Sequence, residues 1–431
     1  MQVSEDILHF AWKYRLYRSG PLQTECGEPV AVLAVGFHNK DAGPDFSQCR
    51  VRIGDTEWVG NVELHVRSSD WTRHRHQHDK AYNNVILHVV FEHDVDVRRE
   101  DGTILPTLAM RERMFPQMLH QHRELMSGMY WIPCERQLHE VPSIKVDHWL
   151  DRMLVERLES RTGQLAALLN QCQGSWEEVA YRWLARAFGF KVNAEAFEQL
   201  AHRVPLSLFE KYRADPILVD ALYFGQAGLL EEESAEGMYP RQLLREYQYL
   251  KRLHGLTPLQ PSQWKFMRMR PANFPTQRIA QFAALLRQRG RLFANMLAVS
   301  DVREIRSWFS ALPVHPYWQE HYRFGGKPTR HSGQLGESSI SLLLVNVVAV
   351  ILFGYGKYVG KETYIYRSIA LLEAVGAEKN ALLHRFAALG VHAPAASTTQ
   401  ALLHMKTSYC DKKRCLDCGI GTHIIQRSRE I

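Results

Sequence analysis

The chain lacks a leader: its first residues, MQVSEDILHFAWKYRLYRSG, open on acids and hold no long apolar segment, so no signal peptide is expected. A bilayer-length apolar run is also missing. The most apolar stretch, 340–354 (ISLLLVNVVAVILFG), falls short of the roughly 20 residues of a spanning helix and carries Asn346, which predicts a buried core helix and no membrane association. Cysteine is sparse, seven residues with three crowded near the end, which excludes a secreted disulfide framework and points to the reducing cytoplasm. No fixed repeat period appears, which excludes a solenoid. The loop Arg323-Phe-Gly-Gly-Lys-Pro-Thr-Arg330 lacks the Gly-Lys-Ser/Thr context of a phosphate-binding loop, so no nucleotide site is assigned there.

What is present is an ordinary folded composition, 45% apolar and 23% charged over 431 residues, which excludes global disorder and suggests two domains. Lys and Arg exceed Asp and Glu by 53 to 46, a net charge of +7 that suits a polyanionic partner without demonstrating one. Histidine is abundant, 21 in all. His9, His38, His65, His74, His76, His78, His88 and His93 all fall before residue 100.

Ser4 followed by Glu5 and Asp6 reads as a helix start, and Ile7, Phe10, Ala11 and Tyr14 recur with helical spacing. Strands are predicted at 30–37, 51–53, 57–66, 85–91 and near 104–108, with a hairpin turn at Gly54-Asp55-Thr56. Alternation of Val62, Leu64 and Val66 with Asn61, Glu63, His65 and Arg67 places Glu63 and His65 on one strand face. The run at 85–91 is apolar on both faces, as a central strand is. From about residue 145 the pattern is helical. The reading is therefore an α/β domain over 1–115, a connection over 116–146, and a mostly α-helical domain over 147–431 ending in a cysteine cluster at 410–423.

The densest polar cluster lies between Asn39 and His88. An aspartate after Pro44 and a glutamate on the next strand offer two carboxylates, Asp45 and Glu63, to one Mg²⁺ or Mn²⁺, whose bound water attacks a phosphodiester. A Pro-Asp turn and an edge-strand glutamate are also common without any ion. His74, His76 and His78 suggest a transition-metal site with Asp79. The competing reading is a polar loop leading into a helix capped by Asp79, from which His74 and His76 reach substrate phosphate. His88, inside an apolar strand, reads as a core histidine. Arg268 and Arg270, in a segment of cations mixed with Phe266 and Phe274, suit phosphate contact and base stacking, or equally a solvated helix end.

Pro44-Asp45 followed by Glu63-Leu64-His65, within an α-β-β-β-α-β order, resembles the PD-(D/E)XK nuclease superfamily. The resemblance implies metal binding by Asp45 and Glu63, with Glu5 in the place of the first-helix acid that some members use as an extra ligand. His65 stands where the superfamily has its lysine, and as a neutral imidazole it is expected to accept a proton from the metal-bound water. Asp45 also shares its alternation phase with Val51 and Ile53, so a bulge, or a strand that begins after Asp45, is needed to bring it to the face of Glu63. Over both halves, GPDF, VELHVRSSDW, Trp71-x-x-His74-x-His76-x-x-Asp79-x-x-Tyr82, IPC and YCDKKRCLDC resemble a family of uncharacterised bacterial proteins that brings no established activity.

Cys410, Cys415 and Cys418 suggest Zn²⁺ or an iron–sulfur cluster, with His423 or Cys134 as fourth ligand and Lys412, Lys413 and Arg414 favouring the thiolates. The arrangement with Cys134 is similar to iron–sulfur nucleases of the same superfamily, where one upstream cysteine joins a C-terminal trio. The expectation is a metal-dependent nuclease-like protein hydrolysing DNA or RNA, with Asp45, Glu63, His65 and Glu5 at the chemistry and His74, His76, Arg67, Arg268 and Arg270 toward substrate. The competing expectations are a catalytically inactive nucleic-acid-binding or scaffold protein, and a different hydrolase built on the histidines.

Overall fold

A computed structural model describes residues 3–232 and 237–427. The chain divides into two compact units, 1–150 with 404–431, and 151–403. This differs from the division expected at 116 and 147. The helix Pro116–Ser127 buries Met118, Leu119 and Leu125 and packs against the C-terminal helix Gly419–Arg427, so both the connection and the tail belong to the sheet-bearing unit. Lys413 Nζ donates to the Met126 carbonyl at 2.6 Å, which fastens the tail further.

The N-terminal unit begins with α1 (Glu5–Lys13), whose first turn carries Glu5 and Asp6 and whose buried side chains are Ile7, Leu8, Phe10, Ala11 and Trp12. Ser4 precedes it but makes no side-chain cap. A seven-stranded sheet follows: β1 (Leu22–Gln23), β2 (Pro29–Ala34), β3 (Phe37–His38), β4 (Phe46–Ile53), β5 (Thr56–Arg67), β6 (Val85–Glu92) and β7 (Thr107–Ala109), ordered β1-β2-β4-β5-β6-β7 with β3 also on β4. β4 and β5 form the expected hairpin, Ile53 opposite Thr56, and Gly54 takes the positive φ of 58° that the tight turn demands. β5, β6 and β7 are parallel, and β6 is buried along nearly its whole length.

Of the two devices that the alternation left open both are present: β4 begins at Phe46, after Asp45, and it carries a bulge. The register of β4 on β5 shifts between Phe46 and Cys49, and Gln48 sits at φ 56°. Phe46, Cys49, Val51 and Ile53 are thereby all buried, despite the change from even to odd positions. Gly36 makes room for this bulge: a Cβ there lies 2.3 Å from the Ser47 carbonyl oxygen and 2.6 Å from Cys49 Sγ, at a φ of 78°. The strand predicted at 30–37 is accordingly broken into β2 and β3.

Between β5 and β6 the chain crosses over through α2 (Asp70–Arg73) and two single 3₁₀ turns, His76–His78 and Lys80–Tyr82. Trp71 and Tyr82 anchor this crossover in a buried cluster with Val85, Val97 and Leu105. Burying side chains of this size contributes about 1.5–3 kcal/mol each. The cluster thus holds a short, polar segment in a single shape.

The helical unit follows the periodicity. Pro275–Gln288 and Leu292–Ala298 are two separate helices, with Arg291 at φ 53° between them. The apolar stretch at 340–354 is the centre of a longer helical run, Glu337–Val359, because polar and glycine-bearing turns extend it at both ends. At 23 residues it is long and apolar enough to cross a membrane, yet 72% of its most apolar window is buried inside the protein, as in a core helix.

Candidate metal centre

Asp45, the residue just before β4, meets Glu63 of β5. The Asp45 backbone N–H donates to Glu63 Oε2 at 3.0 Å, and Asp45 Oδ2 accepts from the Leu64 N–H at 2.9 Å. From α1, His9 Nε2 lies 3.1 Å from the same Asp45 oxygen. Glu5, one turn before His9, is close enough for the charges of His74, His9 and Asp45 to act on it; burial is the largest influence and pushes its carboxyl up. Sequence reasoning found Glu5 and passed over His9. The missing signal was the i, i+4 spacing, which puts both residues on one stripe of the helix.

On the other side of Glu63 the histidines converge. His65 is 2% exposed. Its Nδ1 lies 2.9 Å from His88 Nε2 and its Nε2 lies 3.2 Å from His74 Nδ1. Glu63 Oε1 stands 3.6 Å from His65 Nε2 and 3.4 Å from His76 Nε2. Ligand atoms of His65, His74 and His76 all fall within 4.8 Å of one another. A tetrahedral ion with bonds of about 2.0–2.1 Å holds its ligand atoms roughly 3.3 Å apart. The separations of 3.2, 3.4 and 3.6 Å match that edge length.

Each residue of the Trp71–Tyr82 motif has a place here. Trp71 donates its indole N–H to the Arg98 carbonyl at 3.2 Å and packs edge-on to His76. Arg75, at φ 63°, turns the chain so that His74 and His76 both face His65. Tyr82 stacks on His76 with ring centres 3.8 Å apart. Asp79 caps the last turn by accepting from the Ala81 N–H at 2.9 Å, and so is a cap, as one of the two readings held.

The electrostatics favour neutral imidazoles. Burial, followed by the neighbouring histidines, lowers His65 to about 2. Burial is also the first cause for His88, lowered to about 3, and for His76, lowered to about 4. Burial thus makes His65 a poorer base than a free imidazole, which weighs against the role expected from its place in the motif. A neutral imidazole is suited to a metal. His65 Nδ1 pairs with His88 Nε2, and with Nε2 turned to an ion it would donate there, which would fix the tautomer. Burial, and next the Asp45 charge, push Glu63 well above the carboxylate range. His76 Nε2 is buried without a hydrogen-bond partner. A cation among these atoms removes the carboxylate repulsion and satisfies that nitrogen together.

Residues 5–381 match a protein family described as "Protein of unknown function (DUF2851)". The chain belongs to this family. The matched stretch contains the whole carboxylate–histidine site and Cys134, and ends before Cys410. No curated protein and no solved structure matches the chain.

In this family member an open cleft of about 560 Å³ adjoins the site, lined by Asp45 and His9 with the cations Lys13, Lys40, Lys412, Lys413 and Arg414. Asp417 engages two of these, Arg414 at 3.1 Å and Lys40 at 3.7 Å. Arg67, at the exposed end of β5, follows Glu63 and His65 on their alternation. Arg268 and Arg270 belong to the helical unit, where Arg270 lines a separate cavity.

The cysteines also come together. Cys134 lies within electrostatic reach of Cys410, Cys415 and Cys418, and burial followed by these neighbours pushes its thiol up. His423 lines a different small cavity with Gln137 and Glu140. Lys413 favours the Cys415 thiolate as expected, but burial, followed by the Cys418 thiol, outweighs it and pushes Cys415 up to about 12. All four are free thiols, and the Cys418 sulfur is approached by the N–H groups of Ile420 and Gly421.

Proposed function

We propose that this protein is a metal-dependent phosphodiester hydrolase acting on nucleic acid. The observation that carries the reading is the convergence of nitrogens of His65, His74 and His76 with Glu63 beside Asp45, at separations of 3.2, 3.4 and 3.6 Å. In this reading the N-terminal unit is a PD-(D/E)XK-like sheet: a leading helix, a β4–β5 hairpin carrying Asp45 and Glu63, and a crossover to a parallel strand. The departure lies in the ligands. A nitrogen-rich set suits a borderline ion such as Zn²⁺ better than Mg²⁺, which prefers oxygen. A bound ion would supply a water of lowered pKa and a Lewis acid for the phosphoryl oxygen. His65, His74 and His76 would hold it, Glu63 would stand beside a fourth position left to that water, and Asp45 with His9 would receive its proton at the cleft side. Lys13 and Lys412 attract the phosphate backbone.

The test is to strip the full chain with chelator, reload it with Zn²⁺, Mn²⁺ or Mg²⁺, and follow cleavage of labelled single- and double-stranded oligonucleotides. Zn²⁺ or Mn²⁺ should restore cleavage and Asp45→Asn should abolish it while metal stays bound. A second reading has its own observation: a closed four-ligand shell is typical of structural sites, and a staple on the crossover would serve a non-catalytic binding protein. In that case metal raises the melting temperature, but no reload produces cleavage.

We further propose that Cys134, Cys410, Cys415 and Cys418 form a structural thiolate centre for Zn²⁺ or an iron–sulfur cluster, which holds the Lys412–Arg414 loop against the cleft.

A further inference from the structure

The helical unit contains a cationic chamber with no acid among the described residues that line it. The cavity, about 390 Å³, is lined by Phe190, Lys191, Arg270 and Arg278 with Ser338 and Ser339 among others, and none of its lining residues is an aspartate or glutamate. Arg278 is 3% exposed. Its guanidinium donates only to neutral acceptors: Gln281 Oε1 at 3.0 Å, Asn273 Oδ1 at 2.6 Å and Ser339 Oγ at 3.0 Å. Its Nε is buried with no partner. The planar group lies over the Phe190 ring, 4.5 Å from its centre. A buried guanidinium normally has a carboxylate beside it, because an uncompensated charge in the interior is expensive. Here burial is the sole cause that lowers Arg278, to about 10, and no acid opposes it.

We propose that this chamber binds a small phosphomonoester, with Arg278, Arg270 and Lys191 on the phosphate and Phe190 beside an apolar or flat body. The size is that of a pocket for a nucleotide-sized molecule. Arginine forks match phosphate oxygens in pairs, and Ser338 and Ser339, in the first turn of a helix, add hydroxyls where the helix dipole also favours an anion. The site is separate from the carboxylate–histidine centre, and its occupancy is read by binding alone, so failure of the hydrolase reading leaves it intact.

The experiment is calorimetric titration of the full-length protein with inorganic phosphate and with a nucleoside 5′-monophosphate, at matched ionic strength against chloride. The monophosphate should bind with one-to-one stoichiometry and more tightly than phosphate. Charge-assisted hydrogen bonds of about 1.5–3 kcal/mol correspond to roughly a 10- to 100-fold loss on removing one cation. Arg270→Gln, at the less buried position, should show that loss with an unchanged melting temperature, and Arg278→Lys should show it with partial folding cost. Asp45→Asn should bind as the wild type does. Absence of binding to the wild-type chain, or an Arg270→Gln, Lys191→Gln double variant that binds as tightly, would overturn the proposal.

Discussion

Protons and metal should compete at the histidine site in an unusual direction. Take the apo protein first. His65 and His88 are buried as neutral imidazoles, at about 2 and about 3, whereas an unfolded histidine titrates near 6.5. Above pH 6.5 both states are neutral and nothing is lost. Below it the unfolded chain binds protons that the folded chain refuses, so stability falls by about 1.4 kcal/mol per pH unit for each group until the folded values are reached. At pH 5 the two together cost about 4 kcal/mol, a large part of a typical folding free energy of about 5–15 kcal/mol. Glu63 acts oppositely. Its raised pKa means that stability is present below the unfolded carboxylate value and lost as pH rises toward the folded one. A bound cation removes the Glu63 penalty and leaves the histidines neutral. Metal binding at pH 7 should therefore release about one proton, from Glu63, and affinity should fall by about 1.5 decades between pH 7 and 5.5 on its account, with little added by His65 and His76. A surface site of three ordinary histidines loses about a decade per histidine over that range. Calorimetry of Zn²⁺ binding in buffers of different ionisation enthalpy measures the proton count, and Glu63→Gln should reduce it to near zero. A slope that steepens from one toward several decades per unit as pH drops below 6.5, or proton release unchanged in Glu63→Gln, would refute the reasoning.

Three further outcomes follow from particular contacts. Gly36→Ala should destabilise the N-terminal unit by more than about 1 kcal/mol, since the new Cβ meets the Ser47 carbonyl at a positive φ, and should weaken metal binding by shifting the Asp45 bulge; chemical denaturation and metal titration check both. Cys415→Ser should lower metal content and melting temperature together, read by elemental analysis and calorimetry, with visible absorbance separating colourless zinc from an iron–sulfur cluster. Lys13→Gln with Lys412→Gln should weaken oligonucleotide binding and reduce the salt slope by about 1.4, from roughly 0.7 per phosphate contact on a single strand; an unchanged slope removes the cleft from the binding path.

Much of this architecture was legible because it is written in local periodicities. The alternation from Asn61 to Arg67 fixed which residues face Glu63, and the doubly apolar run at Val85 gave the central strand. The parity of Asp45 called for a bulge or for a strand that begins after it, and both are found: β4 starts at Phe46, and Gln48 and Gly36 form and accommodate the bulge. Tertiary return of the chain was not legible. Nothing local in the segment around Cys134 shows that a tail almost 300 residues later packs beside it, and the pairing rests on helix faces that meet only in three dimensions.

The histidines show the same limit at shorter range. Spacing alone points to a capped loop at His74 and His76 ahead of a metal site. The structure holds both at once: Asp79 caps its turn, and the turn so formed directs His74 and His76 back to His65. What decides the direction is the burial of Trp71 and Tyr82 on either side of the pair, which leaves the intervening segment one way to close. The aromatic residues of the motif therefore position the site, and the polar ones supply it. A Trp71→Phe variant that keeps the cluster filled should retain the histidine geometry, whereas Trp71→Ala, at a cost of about 3–5 kcal/mol, should release His76 and lose metal before the sheet itself unfolds.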